Sequence, residues 1–307
     1  MPHEEFLLTR ESAFPDSFEA DFYLSHATDV QSKDQALEHF EAIGRTAGFP
    51  GSPGTSKKML LDRVRQLGAD AILEIGPGSN PALVGDNVWY FDVKSRDELV
   101  QRYQNDPSVQ NVPNEIHFVH PEGDLRSIDR QFGVVVSSHV IEHTADLVDH
   151  FEAVSSLLLD GGYYVLLAPD KRYCFDHFKE ETILEEVIVQ NMLDDGGRSR
   201  FYKCYLLERM RRAHNSAKQH WDGDHGTIAY EKSKWDEAMA SASRTFENPV
   251  QRYGYHNWFF TDRSFEAIVA QLHKLGCINL APLAVYNTVR DSFEFGAVLR
   301  KGGAVTG

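Results

Sequence analysis

Hydrophobic positions recur along the chain with two different periods. Ala36, Leu37, Phe40 and Ile43 fall three or four residues apart ahead of Gly44, which predicts a short helix. Leu60, Leu61, Val64 and Leu67 predict another. Short apolar runs bounded by turn residues come next, at 71–75, 88–93, 116–119, 133–137 and 163–168. Between the last two, Leu147, Phe151, Val154 and Leu158 mark a helix expected to stop at Gly161-Gly162. Strands alternating with helices predict a parallel sheet covered on both faces. Residues 171–260 lose that rhythm. They are rich in aromatic, Arg and His residues with mostly helical apolar spacing, as in a helical cap that binds an acceptor. From 261 the pattern returns. Thr261 is placed to cap a helix carrying Phe265, Ile268, Val269 and Leu272, and Gly276 ends it. Two strands, 278–289 and 293–299, are expected on either side of Arg290-Asp291-Ser292.

Four segments result: an N-terminal helical extension and linker (1–54), closing on Phe49-Pro50-Gly51-Ser52-Pro53-Gly54; an α/β core (55–170); the cap insertion (171–260); and a C-terminal helix and strand pair that completes the core (261–307). The chain's 307 residues match about two domains of ~150 residues. Lys and Arg number 31 and Asp and Glu 46, a net charge of −15 that argues against a nucleic-acid partner. No run approaches the ~18 apolar residues of a membrane span, so no membrane insertion is expected. The acidic start MPHEEFLLTRESAF lacks the apolar stretch of a signal peptide. Cys174, Cys204 and Cys277 are too scattered for a disulfide framework or a zinc pattern, as in a cytoplasmic protein with reduced thiols. The charge is uneven: residues 1–54 hold 3 basic and 10 acidic residues, residues 171–262 hold 14 and 15. The near-neutral cap tolerates an acceptor bearing a phosphate or carboxylate.

The sharpest local signal is Ile72-Leu73-Glu74-Ile75-Gly76-Pro77-Gly78-Ser79-Asn80-Pro81, a buried strand running into a glycine turn. Such a turn lets the backbone approach a cofactor closely, though many α/β proteins have one. The features downstream of the turn, taken in order, narrow the choice. Val88-Trp89-Tyr90-Phe91-Asp92 ends a second strand in an acid able to hold a ribose diol. Gly123-Asp124-Leu125 comes after a third strand, and the run Val134 to His143 contains the end of a fourth. Leu157-Leu158-Leu159-Asp160-Gly161-Gly162 leads into a fifth.

This ordered set resembles the class I S-adenosylmethionine-dependent methyltransferases of the type 11 kind, as encoded with bacterial surface-glycan biosynthesis enzymes. The resemblance covers residues 56–175 and, more loosely, the C-terminal strand pair. A nicotinamide dehydrogenase is the competing reading of the glycine turn, but Glu74 before Gly76 and Asp160-Gly161-Gly162 fit the methyltransferase better. One departure is Asn80, where the usual run has a third glycine. The resemblance implies a Rossmann-like, doubly wound, mostly parallel sheet with an antiparallel C-terminal strand. It implies S-adenosylmethionine as cofactor and S-adenosylhomocysteine as product. Glu74 would orient the loop beside the methionine amino group, with Gly76 and Gly78 under the cofactor. Asp92 would hold the ribose, Asp124 and Leu125 the adenine, and Ser138 and His139 would face the sulfonium.

An alcohol acceptor needs a base as its proton leaves, and His139 is the favoured one, with His143 four residues on. Asp170, Asp176 and His177 lie just past the fifth strand, where α/β sheets place ligand contacts. Trp221-Asp222-Gly223-Asp224-His225-Gly226 and His256-Asn257-Trp258-Phe259-Phe260-Thr261 combine aromatic rings with polar groups, a mixture suited to a sugar. Asp176, Asp222, Asp224 and His225 are the candidate set for Mg²⁺. The stretch from Phe18 to Arg45 resembles a short helical module attached to bacterial glycosyltransferases of surface-polysaccharide loci, with Ala27-Thr28 where that module commonly has Asn-Pro. That resemblance implies a saccharide acceptor and a glycosyltransferase partner, and it leaves a homodimer open. Three readings stand at this point: O-methylation of a saccharide hydroxyl with a histidine base, methylation of a small metabolite, or a non-catalytic binding module in a glycan-assembly complex.

Overall fold

A computed structural model describes residues 13–302, apart from 31, 106–110, 194, 229, 249–250 and 252. The first twelve residues of the N-terminal extension, and with them most of the acidic start, lie outside the described residues. Helices α1 (Ala20–Leu24) and α2 (Lys33–His39) open the described chain. A wider turn (Phe40–Gly44) and a last helical turn (Arg45–Ala47) extend α2 to Gly48, whose φ of 78° ends it. Only half of the apolar stripe read from the sequence is used: Ala36 and Phe40 are buried with Tyr23 and Ala27, whereas Leu37 and Ile43 are exposed.

Helix α3 (Lys57–Gln66) starts at Ser56, whose hydroxyl accepts from the Met59 N–H. The sheet then builds from β1 (Ile72–Ile75), β2 (Val88–Asp92), β3 (Phe118–Val119), β4 (Phe132–Ser138) and β5 (Leu158–Pro169). Helices α4 (Arg96–Tyr103) and α5 (Leu147–Leu157) lie between strands. The insertion is helical, with α6 (Leu184–Leu193), α7 (Arg198–Met210), α8 (Ala217–Trp221) and α9 (Lys232–Glu247). Helix α10 (Asp262–Lys274), β6 (Leu280–Val285) and β7 (Glu294–Lys301) complete the core. The strand order is β3-β2-β1-β4-β5-β7-β6. β7 alone runs against its neighbours β5 and β6; the other pairings are parallel.

Side chains alternate across the strands, and both faces are buried, so β1 reads as an unbroken apolar run with one acid in it. Leu73 and Ile75 face the layer holding Phe151, Val154 and Phe265, while Ile72 faces Leu60 and Val64 on α3. The helix before β5 ends at Leu157, earlier than the double glycine suggested. Gly161 and Gly162 lie inside β5, where a register shift lets the strand pass the neighbouring backbone. A side chain at Gly162 would stand 2.9 Å from the Gly133 carbonyl oxygen, which explains the glycine better than a helix stop does. Among the described residues no helix is long and apolar enough to cross a membrane. The three cysteines are free.

A buried amide helps to fasten the N-terminal segment to the core. Asn287 accepts from the Gly51 N–H at 3.1 Å and donates to the Phe49 carbonyl at 3.0 Å. Arg45 adds an ion pair with the buried Asp262 at 2.6 Å. Asn287→Ala strands both backbone groups of the 49–51 turn, and urea unfolding is expected to show a loss of about 1–3 kcal/mol.

Candidate active site

The strand order reverses between β1 and β4, which opens a crevice at the carboxyl ends of the strands. A cavity of about 240 Å³ lies there, lined among others by Gly76, Gly78, Asp92, Leu125, His139 and His143. Gly76 and Gly78 have φ of 68° and 52°, in the left-handed region that favours glycine. A Cβ on Gly76 would meet the Val140 side chain at 2.8 Å, whereas one on Gly78 would meet only the Tyr103 hydroxyl, at 3.7 Å. The first glycine is demanded by packing and the second opens the floor of the cavity. Gly76→Ala is expected to cost about 1–2 kcal/mol through the backbone alone. In thermal unfolding, adding Val140→Ala should recover the steric part of the loss and leave that backbone part.

The cofactor-type residues fall into two groups. Asp92 lines the cavity at the end of β2, 6% exposed. Its oxygens accept from Gly78 N–H at 3.2 Å and Lys94 N–H at 3.0 Å, and burial raises its pKa above the ordinary carboxylate range. Leu125 lines the same cavity. Glu74 points to the α3 side and does not line it. Its two oxygens hold the Ala82 and Leu83 N–H groups at 2.7 and 3.0 Å, so it shapes the loop after the glycine turn. Burial pushes Glu74 up to about 7. The Asp124 carboxylate caps the turn Leu125–Ser127 by accepting from Arg126 N–H, and the residue lines a neighbouring hollow instead. Ser138 accepts from Lys57 Nζ at 3.3 Å at the mouth of β4.

His139 comes directly after β4 with φ of 57°, rare for a residue with a side chain. Its Nε2 lies 2.8 Å from Glu294 Oε2 and its Nδ1 3.3 Å from Glu142 Oε1. Burial alone would lower its pKa, but the two carboxylates outweigh burial and push it up to about 9. The expected base is therefore an imidazolium with both nitrogens engaged in this arrangement. His143 also lines the cavity, on the short turn Ile141–His143 instead of the shared helix face foreseen with His139. Burial, with His256 opposite, brings it down to about 4.

Glu142 lies behind these two histidines, fully buried; its contact with His139 is an ion pair, and neither of its oxygens makes a hydrogen bond among the described residues. Burial would raise its pKa; His139, His143 and His256 hold it lowered. His256 approaches it from the far side of the insertion, 4.0 Å away, and hydrogen-bonds Asp176 at 2.6 Å.

The remaining sequence candidates lie elsewhere. Asp170 is fully buried and committed to Arg172 and to the Thr288 hydroxyl at 2.7 Å, so it braces the end of β5 and does not face an acceptor. Asp176 is tied to Lys179 at 2.6 Å as well as to His256. Asp222 pairs with Lys218 and Arg290, and Asp224 caps the Gly226 N–H. The proposed Mg²⁺ set is thus not assembled, because each acid already has its own partner. His177 and His225 belong to a histidine stack: their rings lie 3.7 Å apart at 11°, with His220 and His214 alongside. The aromatic rings foreseen as a sugar platform are also spent. Trp258 is fully buried with its N–H on Thr144, and Trp221 stacks on Tyr173 at 3.7 Å.

Sequence reasoning passed over Glu142, Glu294 and Tyr253. Glu142 stands inside the run that supplied His139, three residues on, and that spacing was the available signal. Tyr253 comes from the insertion and donates to the Glu122 carbonyl, closing the cavity over Gly123. Nothing local in the sequence marks it.

Neither a protein-family model nor a curated protein sequence matches the chain. Solved structures do match. An S-adenosylmethionine-dependent methyltransferase from Clostridium acetobutylicum ATCC 824 is 11% identical, with a TM-score of 0.40, over 88% of this chain and 99% of its own. Magnesium protoporphyrin IX methyltransferase from Synechocystis PCC 6803 with bound SAH is 11% identical, TM-score 0.34, over 92% and 94%. The CurJ carbon methyltransferase is 11% identical, TM-score 0.37, over 80% of this chain and 53% of its own, so the chain spans about half the length of that relative. At such scores the fold is assigned from the strand order of the chain itself. It is Rossmann-like.

Proposed function

We propose that the chain is an S-adenosylmethionine-dependent methyltransferase acting on a hydroxyl of a saccharide. The observation that carries this reading is the cavity at the strand-order reversal, floored by two left-handed glycines, flanked by Asp92 and ending at His139. The residues fit the cofactor's chemistry. The Asp92 oxygens each accept one backbone N–H and keep lone pairs for a ribose diol. Leu125 offers an apolar wall for an adenine, and Gly78 leaves the floor open. Asp124, if it reaches the adenine amine, does so with the oxygen not used in its cap. When bound, the cofactor supplies an electrophilic methyl group, so the protein's task is alignment and proton removal.

His139 is the proposed base. Glu142 and Glu294 fix the ring, and an acceptor hydroxyl takes the place of Glu294 at Nε2. Lys57, 3.6 Å from Glu294, receives the displaced carboxylate. His139 acts as a base only after its Nε2 proton has left to solvent; Nε2 would then take the hydroxyl proton as the C–O bond forms and the bond between the methyl carbon and the sulfonium sulfur breaks. A second hollow of about 490 Å³ adjoins this point, lined by Lys57, Ser292 and Glu294 together with Phe22, Met59 and Val289. Its mixed polar and apolar walls, and the N-terminal segment's share in them, support a saccharide over a small flat metabolite.

Calorimetry is expected to show S-adenosylhomocysteine binding that weakens at least tenfold in Asp92→Ala; unchanged binding removes Asp92 from the cofactor site. His139→Ala should bind the product as before and lose turnover. Turnover against a panel of glycans and small alcohols separates the readings. Methylation confined to the small alcohols favours the metabolite reading, and product binding without any turnover favours a non-catalytic module.

A further inference from the structure

The carboxylate of Glu142 is fully buried and neither of its oxygens makes a hydrogen bond among the described residues, so the His139 imidazolium 3.3 Å away is left to balance it without one. Around its Oε1 stand His143 Nε2 at 3.9 Å, His256 Nε2 at 4.0 Å and His139 Nδ1 at 3.3 Å. The outer nitrogens of two of these rings are fixed. His143 Nδ1 lies 3.0 Å from the Tyr255 carbonyl, and His256 Nδ1 lies 2.6 Å from Asp176 Oδ2. A carbonyl or carboxylate oxygen can only accept, so each Nδ1 carries the hydrogen, and Nε2 is the nitrogen left to offer a lone pair inward to an ion. Two Nε2 atoms and a carboxylate oxygen that makes no hydrogen bond thus converge, and the ligand atoms of Glu142, His143 and His256 lie within 4.8 Å of one another. The rings of His143 and His256 meet edge to face at 80°, an arrangement in which both lone pairs can point at one ion. By contrast, the His177 and His225 rings are nearly parallel and cannot converge in that way.

We propose that Glu142, His143 and His256 form a binding site for one divalent first-row transition metal ion, directly behind the cavity wall made by His139 and His143. The donor set, two imidazoles and a carboxylate, is that of zinc and of non-haem iron sites, and it disfavours Mg²⁺, which takes oxygen ligands. The outer bonds to the Tyr255 carbonyl and the Asp176 carboxylate hold the two histidine rings in orientation. Asp176 is itself braced by Lys179 at 2.6 Å. The ion would occupy the point where Glu142 Oε1 and the two Nε2 atoms meet.

The test uses the full chain stripped of metal with a chelator and titrated with Zn²⁺ or Co²⁺ alone, with no cofactor or acceptor present. The expected result is one ion per chain, with Co²⁺ giving visible absorption of a nitrogen–oxygen site. Glu142→Gln and His143→Asn should each weaken binding by more than the about 10–100-fold that loss of an outer-shell partner costs. His225→Ala, in the other histidine cluster, should leave it unchanged, as should Asp92→Ala. Circular dichroism confirms that each variant is folded. Absence of binding overturns the proposal, as does binding that survives in folded Glu142→Gln or is lost in His225→Ala. Because the probe is the metal alone, failure here leaves the methyl-transfer reading standing, and failure of S-adenosylhomocysteine binding leaves this one standing.

Discussion

A carboxylate carried into a protein interior has to be balanced, and the buried Glu142 sets the terms for everything near it. Its charge draws in His139, His143 and His256, which come from two regions far apart in sequence. His139 becomes cationic, and its left-handed backbone holds the ring between Glu142 on one side and Glu294 on the other. Asp176, itself paired with Lys179, holds His256 toward the site, so the insertion is coupled to the core through the same charge. Removing the acid would leave three imidazoles facing one another with nothing between them.

The crevice gives this arrangement its use. Reversal of the strand order between β1 and β4 leaves a gap that side chains do not fill, and the left-handed turn at Gly76 keeps the backbone out of it. Glu74 works from the opposite face of the sheet, pinning the loop that continues from that turn. A second set of buried charges holds the outer parts in register. Asp170 at the end of β5 binds Arg172, which reaches Asp262 at the start of α10, and Asp262 also binds Arg45 of the N-terminal segment. That segment consequently sits as a wall of the second hollow, beside Glu294.

Much of the core was legible because its signals are local. A glycine turn after a buried strand and an acid at the end of the next one are set by backbone geometry within a few residues, and Gly76, Gly78 and Asp92 stand together at the crevice. The same reasoning failed where a residue's role depends on distant partners. Asp170 sits at a strand end as ligand-binding acids do, yet Arg172 and Thr288 consume it. Trp221 and Trp258 have the composition of a sugar platform, but exposure is decided by packing, and Tyr173 and the core cover them. Glu142 was overlooked for the converse reason: a charged residue in a short turn reads as solvated until His256 is seen against it. The double glycine was read as a helix stop because close approach of two strands leaves no mark on either sequence alone.

The most direct test of the central claim is a crystal structure of the chain with S-adenosylhomocysteine. The ribose diol is expected on Asp92, the adenine against Leu125 and the sulfur toward His139, with Glu142 behind it. Density for the ligand in another hollow, or with its sulfur turned away from His139, would contradict it.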